Sequence, residues 1–201
     1  MRELSGQDLF IKISAKVLPL SAQIEITNNC NLNCIHCLRN TSIDNELTIE
    51  EMKNIILQLK EMGCLCITFT GGEPLCRKDF FEIAEFAKIN GIGIKIYTNG
   101  TLVNKQNIAR LKALKILEIQ VSLYGITPFI HEKITQIGGS FKKTMDAIKL
   151  LKEYNLKFHI ATMIMDCNFK ETLKIKKMCE KDNLSFLPDF ILRPTYQVSL
   201  E

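Results

Sequence analysis

An α/β fold built as a partial (β/α)6 TIM-like barrel of parallel strands is what this sequence predicts, and three observations predict it. Strand-like and helix-like segments alternate strictly from about Gln23 to the end of the chain. The stretches between strands are long enough for crossover helices, which join strands in parallel and cover the outside of a sheet. With 46% hydrophobic and 24% charged residues in 201, the chain suits one buried core and carries no disordered or fibrous signature. Six such units stop short of the closed eightfold barrel, and no final helix follows the sixth strand before Glu201. The expected organisation is a lead-in over 1–18 and one domain over 19–201.

The strands are expected at Gln23 to Thr27, Cys66 to Thr70, Ile94 to Thr98, Glu118 to Leu123, Phe158 to Met165 and Leu184 to Leu192. Thr48 to Glu51 reads as a capping box, after which Met52, Ile55, Ile56, Leu59 and Met62 fall on one helical face and Gly63 stops the helix. Asp79 with Glu82, and Asn168 with Glu171, repeat that opening; Asn104 and Ser140 read as simple caps, and Gly91 ends the second helix. Met163 and Met165 are expected in the core.

Charge and composition exclude several classes. The net charge of +4 arises from 26 basic and 22 acidic residues, with the lysines spread over helix faces, so nothing favours nucleic acid as a partner. There is no export signal and no apolar run long enough to cross a bilayer, which places the protein in the cytoplasm. Eight cysteines in such a chain read as thiols of a reducing compartment rather than as a disulfide framework.

Three of those cysteines form the run Cys30-Asn31-Leu32-Asn33-Cys34-Ile35-His36-Cys37. A CxxxCxxC loop offers three thiolates, and a cubane cluster normally takes four, so one iron would stay open to a ligand other than protein. The same loop offers three sulfurs and His36 to a zinc ion, although zinc loops usually bring their ligands as two separated pairs. Unligated thiols are the third reading. Cys64, Cys66, Cys167 and Cys179 sit where cysteine acts as a small hydrophobe. Cys76 lies near the loop, but a fourth thiolate there would close the site.

Gly71-Gly72-Glu73-Pro74 follows the second strand, Tyr97-Thr98-Asn99-Gly100 closes the third, and Val121-Ser122-Leu123-Tyr124-Gly125 closes the fourth. His131-Glu132-Lys133-Ile134-Thr135 and Gly139-Ser140-Phe141 come next. Together with the cysteine loop, these segments resemble the radical S-adenosylmethionine (radical SAM) superfamily, from about Pro19 to about Met165. They are most similar to the peptide- and protein-modifying subgroup that carries a C-terminal SPASM or twitch extension. Gln136 departs from the pattern, since relatives often have glycine there. No cysteine-rich auxiliary-cluster domain follows in this sequence, which reads as a truncated chain with an open barrel edge.

The resemblance implies that Cys30, Cys34 and Cys37 hold a 4Fe-4S cluster whose fourth iron chelates S-adenosylmethionine. An electron from a flavodoxin- or ferredoxin-like donor then cleaves the cosubstrate to methionine and a 5'-deoxyadenosyl radical, which abstracts hydrogen from a peptide or protein substrate. It further implies that Gly71, Gly72 and Glu73 hold the methionine end, with glycine letting the ligand lie against the main chain. Ser122 is placed for the carboxylate, Asn99 for the ribose or nearby atoms, and His36 near adenine. His131 is read as ordering the loop before the fourth helix rather than as a base, His159 as a strand residue with an ordinary partner, and Asp189 and Arg193 as lining the substrate opening.

Overall fold

The computed structural model describes residues 18–37 and 46–190. Six strands, β1 (Ser21–Thr27), β2 (Cys66–Gly71), β3 (Gly93–Thr98), β4 (Glu118–Ser122), β5 (Phe158–Met163) and β6 (Ser185–Asp189), pair in chain order in one parallel sheet. Helices α1 (Ile49–Glu61), α2 (Phe80–Ile89), α3 (Ile108–Ala113), α4 (Pro128–Thr135), α5 (Ser140–Glu153) and α6 (Phe169–Lys181) lie between them. A sheet whose order never reverses has no switch point and is wound in one sense, as in a barrel rather than a doubly wound sheet. The lead-in up to residue 17, Arg193 and the expected end of the sixth strand at Leu192 fall outside the described residues, as does any element after it.

Burial alternates along β3 and β4, unlike the continuous apolar runs of a sheet covered on both faces. Ile94, Ile96, Ile119 and Val121 are buried with Ile67 and Phe69 of β2, forming a core with Ile56 of α1, Ile83 of α2, Ile108 and Leu111 of α3, and Leu151 of α5. Lys95, Tyr97, Glu118, Gln120 and Ser122 occupy the alternate positions, so the opposite, inner face is polar.

The helix signals are met unevenly. Thr48 and Glu51 form the expected box, the Thr48 hydroxyl accepting from the Glu51 N–H and the Glu51 carboxylate accepting from the Thr48 N–H. Asp79 makes no side-chain cap, because its carboxylate pairs with Arg77 at 2.7 Å. Asn168 donates instead to the Tyr124 and Met163 carbonyls, and Glu171 accepts from the Ile126 N–H at 2.9 Å. Asn104 caps a turn ahead of α3. Gly139, at φ +79°, is the residue before α5, while the Ser140 hydroxyl pairs with that of Thr135 inside the protein. Met163 is half-buried against a cavity on the inner face rather than in the core. Among the described residues no helix is long and apolar enough to cross a membrane.

Helix α4 ends on Gln136 in the left-handed region, at φ 58°. That conformation explains why glycine suits this position, and the Gln136 side chain holds it by bonding to the Lys133 carbonyl. Replacing Gln136 with Gly should raise stability by roughly 0.5–1 kcal/mol, the left-handed strain relieved less the chain entropy lost, as chemical denaturation would measure.

Candidate active site

The cysteine loop leaves the carboxyl end of β1, the face on which parallel barrels bind ligands. Three separate parts of the fold grip it. At its start, the Gly72 N–H donates to the Thr27 carbonyl at 2.7 Å and the Glu73 N–H to the Asn29 carbonyl at 2.8 Å. In its middle, the Asn31 amide donates to the Thr101 hydroxyl at 2.7 Å. Towards its end, the Asn33 and Ile35 N–H groups cap the Thr135 and Ile134 carbonyls of α4, each at 3.0 Å. Arg77 adds a brace from behind, its guanidinium donating to the Ile26 carbonyl at 2.8 Å.

The glycines matter first for chain-to-chain contact. A Cβ on Gly71 would stand 2.3 Å from the Thr27 carbonyl oxygen, and one on Gly72 would stand 2.2 Å from that of Asn29. Gly71 is also at φ +123°, where side chains are strained. The sequence suggested room for a ligand as the reason for these residues; the structure adds a stronger one, the passage of the β1 end across the end of β2.

Glu73 turns inward and is fully buried. Its carboxylate accepts from the Thr98 hydroxyl at 2.8 Å, the Asn99 N–H at 2.7 Å and the Leu75 N–H at 3.2 Å, tying β2 to β3. Burial pushes its carboxyl up to about 7, and these three donors pull the other way. Asn99 likewise faces the loop, with its amide on Asn31 at 3.0 Å and on the Cys30 sulfur at 3.8 Å.

Beyond β4, the Tyr124 side chain is buried beside Ser122. Burial, and then the negative charge of nearby Cys34, hold the Tyr124 hydroxyl well above the ordinary phenol range. The Tyr124 ring meets His36 edge-on at 4.8 Å and His131 at 5.7 Å, and His131 meets Phe141 at 5.8 Å. His131 is buried, accepts from the Tyr124 N–H at Nδ1 (3.3 Å), and is lowered to about 4 by that burial. It orders the turn after β4 and is not placed as a base.

His36 lines a cavity of about 130 Å³ with Gln120, Ser122, Tyr124, Ala161, Thr162, Met163 and Asp189. Its Nδ1 is buried with no hydrogen-bond partner, and burial lowers its pKa. A buried polar atom beside an open polar cavity is the kind of group that a bound ligand satisfies. Under the cavity floor, His159 bridges Glu118 and Gln120, its ring nitrogens 3.1 Å from each side-chain oxygen. This ordinary partnering of His159 was expected; the polar bridge was not, although the alternation of Glu118 and Gln120 with Ile119 and Val121 signals it.

All eight cysteines are thiols. Cys30 and Cys34 are half-buried and Cys37 exposed, while Cys76 lies 4.0 Å from the Asn31 side-chain oxygen. No three His, Cys, Asp or Glu side chains among the described residues are gathered as one metal ion requires. A cluster, in which each thiolate binds a different iron, needs no such convergence, and the residues present fit it better than a lone zinc ion.

A model of the radical SAM superfamily matches residues 24–179. The AdoMet-dependent heme synthase of Methanosarcina barkeri is 32% identical over 175 residues, covering 85% of this chain and 50% of that protein. The PqqA peptide cyclase of Bradyrhizobium diazoefficiens is 27% identical, covering 87% of this chain and 43% of that protein. Streptococcus suis SuiB, solved bound to S-adenosylmethionine, superposes with a TM-score of 0.77 at 19% identity, covering 92% of this chain and 45% of SuiB. The chain thus spans half or less of the length of these relatives.

The buried Glu73 has a measurable signature. Its carboxyl titrates near 4.5 when unfolded and near 7 when folded, so between these values the folded chain holds the extra proton and stability falls as pH rises. The denaturation midpoint should therefore decline from about pH 5 to about pH 8, and less steeply in Glu73→Gln, which has no proton to lose.

Proposed function

The chain belongs to the radical SAM superfamily, and from that premise we propose that it is the cluster-bearing catalytic portion of an enzyme that modifies a peptide or protein. The observation that carries this reading is the loop itself. Three thiols share one short segment, braced at the carboxyl-end rim by Gly72, Thr101 and α4, beside a polar cavity with an unsatisfied His36 nitrogen.

In this reading Cys30, Cys34 and Cys37 hold a 4Fe-4S cluster and leave its fourth iron open to S-adenosylmethionine. When bound, the pair supplies reductive cleavage of the cosubstrate and hydrogen abstraction from the substrate. The protein's own residues bind, orient and exclude water. The Gly71 and Gly72 main chain lies at the methionine end, with Glu73 holding that segment from inside. Ser122 and His36 offer hydrogen bonds from the cavity wall, and Asn99 acts on the loop. The packed rings of His36, Tyr124 and His131 keep water from one side of the site. The electron would come from a flavodoxin- or ferredoxin-like donor, in a reducing compartment such as the cytoplasm.

The peptide cyclase relative supports a peptide substrate, and so does the polar inner face of Glu118, Gln120 and His159, which suits amide and side-chain groups. A second reading, a small molecule of cofactor biosynthesis, is favoured by the heme synthase relative. A noncatalytic metal-binding module accounts less well for a polar cavity beside the loop.

Anaerobic reconstitution with iron and sulfide tests the proposal. A brown protein that forms 5'-deoxyadenosine from S-adenosylmethionine under dithionite is expected, and replacing Cys30, Cys34 and Cys37 together with Ala should abolish both colour and cleavage. A colourless wild-type protein that takes up zinc and leaves the cosubstrate intact would overturn it.

A further inference from the structure

Asn99 stands at the end of β3, and every polar atom of its side chain has a partner. Its Oδ1 accepts from the Thr101 N–H at 2.9 Å and from the Thr101 hydroxyl at 2.6 Å. Those two donors fix which way the amide faces, so its NH2 group must point to the other side. There it meets the Asn31 oxygen at 3.0 Å and the Cys30 sulfur at 3.8 Å. The Asn31 amide returns to the Thr101 hydroxyl at 2.7 Å, which closes a ring of three side chains around the residue next to Cys30. The backbone beneath is equally held: the Asn99 N–H donates to Glu73 and its carbonyl accepts from the Thr144 hydroxyl at 3.0 Å. Cys30 receives a second N–H, from Leu32, at 3.4 Å.

We propose that Asn99 is a positioning residue that fixes the Cys30 sulfur and raises the reduction potential of the cluster it binds. The inference rests on the functional reading above but concerns a different property. N–H donors stabilise negative charge on sulfur, and the reduced cluster carries more of that charge than the oxidised one. In a partly buried setting the effect is stronger than in water. With one N–H on Asn31 and the other on Cys30, the amide has no donor left for a ligand, so Asn99 serves the cosubstrate through the cluster.

The test is a redox titration of the reconstituted protein, followed by the electron paramagnetic resonance of its reduced cluster, with no cosubstrate or substrate present. Asn99→Ala removes the donor; Asn99→Asp keeps the shape and the Thr101 bonds but has no N–H. At the potential where the wild type is half reduced, Asn99→Ala should show a ratio of reduced to oxidised cluster about fivefold lower, the equivalent of one net hydrogen bond, and Asn99→Asp a lower ratio still, because its carboxylate adds negative charge beside Cys30. Thr101→Val, which leaves the Asn99 N–H groups but removes the hydroxyl that orients them, should fall in between. Variants that bind iron normally and titrate with the wild type overturn the proposal. So does loss of iron from both Asn99 variants combined with a wild-type potential in Thr101→Val, since Asn99 would then be only a brace. A wild-type protein that forms no cluster brings down the functional reading itself and is recognised before any variant is compared.

Discussion

Two backbones pass each other at the carboxyl-end rim at a separation that leaves no space for a side chain. Gly71 and Gly72 lie against Thr27 and Asn29 so closely that a methyl group on either would overlap a carbonyl oxygen. From that contact follow the Gly72 and Glu73 hydrogen bonds, the course of the loop that leaves β1, and the place where its first thiol comes to rest. Steric exclusion of this kind is more demanding than any single hydrogen bond, because a clash with main chain has no flexible partner to move aside.

The second consequence is electrostatic. The turn after Gly72 sends the Glu73 carboxylate into the interior, where it is out of reach of water and met by three donors. A carboxylate held this way joins two strand ends without contributing to the cavity surface. The polar groups that do face the cavity come from β4 and the turn after it, β5, β6 and the cysteine loop. The rim is therefore layered, with structural polar groups inside and cavity-facing ones above them.

Much of this was legible in the residues. The strict alternation of strands and helices follows from patterning, and the three cysteines with Gly71-Gly72-Glu73-Pro74 point to the site through their resemblance to the radical SAM superfamily, since their spacing left zinc and free thiols open. What patterning missed were choices made between partners distant in sequence. Asp79 abandons its helix for Arg77, and Asn168 and Glu171 abandon theirs for carbonyl and N–H groups around Tyr124 and Ile126. Each is a good capping residue by local rule, and each finds a better-placed partner through tertiary packing. The short helix α4 went unseen for a related reason. Its eight residues are too few to carry a clear period, and its last carbonyls are satisfied by the cysteine loop rather than by a recognisable stop signal.

The loop's three attachments belong to units far apart along the chain: the end of β2, the turn after β3 and the last residues of α4. It works as a keystone, set where neighbouring staves of the barrel meet. Any flattening of the sheet pulls those staves apart and must be shared among the sulfur-bearing residues between them. The spacing of the thiols is thus a gauge of sheet curvature, and mutations that loosen the outer helices should be felt at the rim even when nothing there has changed.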